Sequence, residues 1–198
     1  MVETRDLPLF AFGEALRRAR RRRRALLRRS AFGTLGFAAL ALTIAFPPRP
    51  RLVWNASASV PLGLYGVGLR APIARGDLVL AWLPEPARTL AAKRRYLPRN
   101  VPAIKRVAAT AGARVCGHRG LVTIDGQVAA HRLAADRFGR PLPRWQGCRT
   151  LGPGELLLLN ARSPDSFDGR YFGVSRTGDV IGTVRSLWTY TQQKAADA

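Results

Sequence analysis

An uncharged stretch of 19 residues, Ser30 to Pro48, directly follows a block of arginines. Ten of the 33 basic residues are arginines between Arg5 and Arg29, and five of these form an uninterrupted run at residues 20–24. The 16 residues from Ala31 to Phe46 are almost all apolar, slightly fewer than the roughly 20 residues of a typical membrane-spanning helix. The stretch has to be removed from water while the arginines beside it stay in contact with water.

Three structures would satisfy this requirement: a buried core helix, a cleaved signal peptide and a transmembrane helix. Nothing amphipathic flanks the stretch, which disfavours a core helix, and residues 46–50 lack the small side chains of a cleavage site. A single transmembrane helix fits best, and the arginine block then places the N-terminus in the cytoplasm. We therefore predict a basic cytoplasmic segment at 1–29, a transmembrane helix at 30–48 and a domain outside the cytoplasm at 51–192.

The charge of the chain supports contact with a membrane more than with nucleic acid. A net charge of +21 over 198 residues is compatible with either polyanion. The arginine block lacks interleaved aromatic residues and a recognisable reading helix, so we expect no specific nucleic-acid partner. Lysine is rare, with only Lys93, Lys105 and Lys194 present. A lysine among so many arginines suggests a role that needs an amine able to lose its proton.

The region beyond the apolar stretch is predicted to be mainly β. An Asp125-Gly126 pair between two apolar runs is the strongest hairpin signal, over residues 121–129. One short helix is predicted at Arg88 to Tyr96. The other short apolar runs bounded by proline or glycine predict strands at 62–69, 77–83, 155–159, 180–184 and 187–190.

The two cysteines, Cys116 and Cys148, lie in the region predicted to be exported, where a disulfide is stable. Such a bond would close a loop of roughly 30 residues. Neither cysteine belongs to a Cys-x-x-Cys pair, and His118 and His131 do not complete a ligand spacing with them. We therefore predict a disulfide and no metal site.

Three polar motifs follow one another in the predicted domain. They are a Ser-x-Ser-x-Pro segment at residues 57–61, a Lys-Arg pair at 105–106 and Ser-Phe-Asp-x-Arg-Tyr-Phe-Gly at 166–173. In this order they resemble the type I signal peptidase clan of serine proteases, the S26 family, and within it the TraF-type conjugative transfer signal peptidases. The resemblance runs from Arg28 to Trp188 and includes Gly-Arg-Pro-Leu-Pro at 139–143. It implies a signal-peptidase-like coiled β-sheet domain behind one transmembrane helix.

The resemblance also implies roles for individual residues. Ser59 corresponds to the nucleophile and Lys105 to the general base, while Ser57 corresponds to a hydroxyl that helps to bind the oxyanion. Asp168 corresponds to the aspartate of the Asp-x-Arg motif, with Arg170 beside it. Asp165 is close enough in sequence to fill the same position. No cofactor is implied.

The resemblance implies a membrane-anchored Ser-Lys endopeptidase of the bacterial inner membrane, with a periplasmic catalytic domain. Its partner would be an exported precursor, a conjugative pilin, matured by cleavage or by cyclisation. The alternative is a non-enzymatic envelope component of a conjugation or secretion apparatus. Replacing Ser59 or Lys105 would separate the two, because only the protease needs both side chains.

Overall fold

The computed structural model of the protein describes residues 8–46, 50–68 and 72–190. The chain divides into two compact units between Arg49 and Pro50. The first unit contains helix α1, Pro8–Ala45. Among the described residues, α1 is the one helix that is long and apolar enough to cross a membrane. Alanine, leucine and arginine dominate this helix and are strong helix formers. Pro8 lies in its first turn, where the missing N–H costs nothing.

The second unit is built from two antiparallel sheets. A seven-stranded sheet has the order β1-β2-β11-β3-β4-β9-β10, and a four-stranded sheet has the order β7-β6-β5-β8. The strands are β1 Leu52–Asn55, β2 Gly63–Val67, β3 Leu78–Ala81, β4 Ala103–Ala109, β5 Arg114–His118, β6 Leu121–Ile124, β7 Gln127–His131, β8 Gly147–Thr150, β9 Glu155–Leu158, β10 Ser175–Arg176 and β11 Val180–Thr189. Two short helices complete the unit, α2 Glu85–Lys93 and α3 Gly169–Phe172.

The large sheet is covered on both faces at its centre. In β3, Val79, Leu80 and Ala81 are all fully buried, although their side chains alternate between the two faces. Leu80 packs in a cluster with Ile104 of β4, and Val79 packs in a second cluster with Val107 of β4. Strand β4 therefore runs through the interior, and a polar side chain at one of its buried positions, such as 105, is removed from water.

The small sheet begins with the predicted hairpin. Asp125 and Gly126 both have positive φ, 51° and 82°, as a two-residue type I′ turn requires. Cys116 of β5 and Cys148 of β8 are register partners and are joined by a disulfide. Strand β8 is the exposed edge of this sheet, and the disulfide attaches it covalently to β5.

The predicted class, a mainly β domain preceded by one helix able to span a membrane, is confirmed. The helix predicted at Arg88–Tyr96 begins earlier, because Pro86 fits the first turn, and ends at Lys93. The strands predicted at 180–184 and 187–190 form one strand, β11, with a register shift between Ser186 and Trp188. The predicted bounds at residues 1, 48, 69 and 192 lie outside the described residues.

Candidate active site

The loop between β1 and β2 carries Ser57 and Ser59, and Asn55 fixes its shape. The Asn55 side chain is buried and donates to the carbonyls of Ser57 at 2.8 Å, Val60 at 3.1 Å and Pro61 at 2.9 Å. Its Oδ1 accepts from the Ser57 backbone N–H at 3.1 Å. One amide therefore holds four backbone groups of the loop in place.

The two serines of this loop lie side by side. The hydroxyl oxygens of Ser57 and Ser59 are 3.1 Å apart, and the Ser59 backbone N–H donates to the Ser57 hydroxyl at 3.4 Å. Ser59 is half-buried, whereas Ser57 is exposed. The loop thus brings two hydroxyls and one backbone N–H close together, and each of these groups can donate a hydrogen bond.

Lys105 lies on the buried strand β4 with 4% of its surface exposed. Its Nζ donates to the Ser166 hydroxyl at 2.9 Å. Burial lowers the pKa of Lys105 from 10.5 to about 8, an effect opposed by the charge of Asp168 and reinforced by that of Arg170. A neutral amine is therefore available near physiological pH, as a general base requires.

Asp168 and Arg170 form a buried ion pair behind the lysine. Arg170 Nε is 2.8 Å from Asp168 Oδ1, and its Nη2 donates to Oδ2 at 3.0 Å. Arg170 also donates to the carbonyls of Asn160, Ser163 and Pro164 at 2.9–3.1 Å. The pair consequently holds the loop that carries Ser166.

Gly169 allows this pair to approach β9. A Cβ at Gly169 would lie 2.7 Å from the Leu158 carbonyl oxygen, so only glycine fits between the two partners. Asp165, the alternative to Asp168, is exposed on the loop. Of the two aspartates, Asp168 is the one paired with Arg170.

The serine loop and the lysine strand meet at a shared apolar cluster. Val60, next to Ser59, packs in the cluster that contains Ile104, the neighbour of Lys105. Among the described residues, Lys105 Nζ is bonded to Ser166, and no hydrogen bond joins it to the Ser59 hydroxyl. Such bonds often form only in the substrate complex.

Sequence reasoning missed two residues of this site, Asn55 and Ser166. Asn55 lies two residues before Ser57, outside the motif that carries both serines, and Ser166 is the first residue of the motif at 166–173, but the sequence assigned no role to either side chain. Among the described residues, no group of three or more His, Cys, Asp or Glu side chains could hold a metal ion.

Comparisons with known proteins identify the family. The family model of signal peptidase, peptidase S26, matches residues 24–189. The plasmid transfer protein TraF of Escherichia coli is 35% identical over 146 residues, covering 69% of this chain and 82% of that protein. The conjugal transfer protein TraF of Agrobacterium fabrum is 35% identical over 147 residues, covering 69% and 81%.

A solved structure, a signal peptidase I from Enterococcus faecalis, is 20% identical with a TM-score of 0.34, and the match covers 59% of this chain and 98% of that one. The family model spans most of the chain, including both serines, Lys105 and the Asp168–Arg170 pair. The chain belongs to the S26 family of signal peptidases and is similar to the TraF transfer proteins within it.

Proposed function

We propose that the protein is a membrane-anchored serine endopeptidase in which Ser59 is the nucleophile and Lys105 the general base. The observation that carries this proposal is the buried amine of Lys105, whose pKa is lowered to about 8. Burying an ammonium group destabilises the folded state. A protein that did not use the amine at position 105 would be more stable with an apolar residue at that position. The S26 family match makes a peptidase the expected use of such an amine.

In the proposed reaction, neutral Lys105 takes the proton of the Ser59 hydroxyl as its oxygen attacks the scissile carbonyl carbon. The Ser57 hydroxyl and the Ser59 backbone N–H bind the negative oxygen of the tetrahedral intermediate, which is a large term in acyl transfer. When the C–N bond breaks, protonated Lys105 returns the proton to the leaving amine, and an ester of Ser59 remains. Water or a second amine then attacks the ester carbonyl and gives a proton to neutral Lys105, which passes the proton to the Ser59 oxygen as the ester C–O bond breaks.

The remaining polar groups of the site act as supports. Ser166 orients the Lys105 amine, and the Asp168–Arg170 pair holds the loop of Ser166. The charges of the pair have opposite effects on the pKa of Lys105, Asp168 raising it and Arg170 lowering it. A net neutral pair therefore leaves burial as the main cause of the lowered pKa.

The names of the relatives support a proposal about the substrate. Because they are plasmid and conjugal transfer proteins, we propose that the substrate is an exported, pilin-like precursor. The anchor would lie in the bacterial inner membrane, with the arginines in the cytoplasm and the domain in the periplasm. Exposed Trp54, Trp188 and Tyr190 contact one another on the domain and suit a position at a membrane surface.

The acyl-enzyme permits two products. Attack by water gives a linear product, and attack by the N-terminal amine of the bound chain gives a circular one that is lighter by one water. The site residues named above serve both outcomes equally, because each outcome is an attack on the same ester.

Cleavage of a membrane-inserted pilin-like precursor, followed by intact mass spectrometry, tests the proposal. Wild type should produce the processed mass, whereas Ser59→Ala and Lys105→Arg should leave the precursor whole. Ser186→Ala and Lys93→Arg are matched controls, because both side chains are exposed outside the site. A mass lower by one water identifies the circular product.

Equal processing by all variants would remove Ser59 and Lys105 from the mechanism. It would favour the alternative, a non-enzymatic envelope component, if processing also occurred without the protein.

A further inference from the structure

The arginine-rich part of helix α1, residues 17–29, has no role in the proposed chemistry. Nine arginines lie in these 13 residues, and no acidic residue occurs between Ala15 and Phe46. Their side chains are exposed, and one of them, Arg18, pairs with Glu14 one turn earlier. This is the densest charge in the chain, and most of it is left without a counter-charge on its own helix.

The arginines surround the helix axis. The run Arg20–Arg24 has five residues, more than the 3.6 of one helical turn, so its guanidinium groups point in all directions. A partner docked on one side, such as a nucleic-acid groove or an acidic protein surface, would leave the opposite arginines unpaired. A partner made of many small anions that encloses the helix would pair with all of them.

The position of the run along the helix indicates what those anions are. The hydrocarbon core of a bilayer takes about 20 residues, so a span that ends near Phe46 extends about one turn beyond the predicted start at Ser30, to Leu26. The side chains of Arg28 and Arg29 then reach the headgroups, because a helix directs its side chains toward its N-terminus. Arg20 to Arg24 then extend about 3–9 Å beyond the core, at a rise of about 1.5 Å per residue. This is the depth of the headgroups, and guanidinium pairs with phosphate through two parallel hydrogen bonds.

We propose that residues 17–29 bind anionic phospholipids, whose headgroups form a shell around the helix. The inference rests on the membrane anchoring of α1 but on neither the catalytic site nor the orientation of the chain. Each basic residue near an anionic surface adds to the attraction, and salt screens this attraction.

Trypsin accessibility in lipid nanodiscs tests the proposal with the full chain. Discs of zwitterionic phospholipid are compared with discs that also contain an anionic phospholipid, and cleavage after Arg20–Arg24 is followed by mass spectrometry. We expect cleavage to be at least about tenfold slower in the anionic discs. This factor corresponds to an attraction between the arginine run and the lipid of at least about 1.4 kcal/mol. High salt should remove most of this protection.

A variant with lysine at all five positions should keep the protection, since lysine preserves the charge and is also a trypsin site. In a variant with glutamine at residues 20–24, cleavage after Arg17, Arg18, Arg28 and Arg29 should differ less between the two discs. Cleavage after Arg119, which lies in the second unit and is exposed, measures the intrinsic protease activity in each disc.

Equal cleavage of the run in both discs would overturn the inference, as would protection by added duplex DNA in zwitterionic discs but none by anionic lipid. Retention of the protein in the discs tests the anchor separately. Precursor processing tests the catalytic proposal separately.

Discussion

Replacing Lys105 by methionine should make the protein inactive and more stable. The lowering of the lysine pKa from 10.5 to about 8 means that the folded state disfavours the ammonium by about 3 kcal/mol at pH 7. Methionine has a similar length and no charge, so it removes this cost. It also leaves the Ser166 hydroxyl without the amine, which costs about 1 kcal/mol. The net stabilisation is about 2 kcal/mol, or about 4–8 °C in Tm.

This gain should depend on pH with a defined sign. Because the pKa of Lys105 is lower in the folded state, its cost is fully present below pH 8 and is relieved as the pH rises toward 10.5. At pH 9.5 buried Lys105 destabilises the wild type by only about 1 kcal/mol, so Lys105→Met should then be nearly as stable as the wild type. Scanning calorimetry of the full chain in detergent at pH 7 and pH 9.5 measures both values.

Two controls complete the experiment. Lys93→Met, at an exposed position on α2, should show no comparable dependence on pH. Lys105→Arg should be destabilised at both pH values, because guanidinium stays charged. A lower Tm for Lys105→Met at pH 7, or an advantage equal at both pH values, would refute the idea that the site holds its lysine at a cost.

Three further results are expected. Asp168→Ala should lose about 3–5 kcal/mol, because it leaves Arg170 as a buried unpaired charge, and Asp168→Ala/Arg170→Met should recover part of the loss in a denaturant titration. Exposed Asp165→Ala should change little, and an equal loss in both aspartate variants would contradict the pairing. Asn55→Ala should lower kcat for precursor cleavage by loosening the Ser59 loop, and unchanged kcat would show that the loop holds its shape without the amide. Reducing Cys116–Cys148 should cost about 3–4 kcal/mol of stability in thermal unfolding, whereas no change in Tm would show that the edge strand β8 needs no covalent hold.

The hairpin and the apolar part of helix α1 could be predicted because their signals are local. Asp125-Gly126 supplies the positive φ angles that the turn needs, and 16 apolar residues can be recognised without knowledge of the fold. Strand β4 was missed for the opposite reason, since Lys105 and Arg106 interrupt its apolar pattern. The structure explains both charges: Lys105 is buried against Ser166, and Arg106 is exposed and donates to the Gly76 carbonyl.

Strand β8 was missed because it has no buried face to produce an alternating pattern. The supporting residues of the site were missed because their roles depend on distant contacts. Ser166 meets Lys105 across 61 residues of sequence, and Asn160 bonds the Arg106 backbone across 54. Asn55 acts locally, but an asparagine in a serine-rich segment is equally typical of an ordinary turn.

The pH dependence of kcat/KM for precursor cleavage tests the proposed Ser59–Lys105 mechanism most directly, because it reports the ionisation of the free enzyme. With the pKa of Lys105 at about 8, kcat/KM should rise about tenfold per pH unit below pH 7 and reach half of its plateau value near pH 8. A rate that is greatest below about pH 6, or one that does not change between pH 6 and pH 9, would contradict a lysine base.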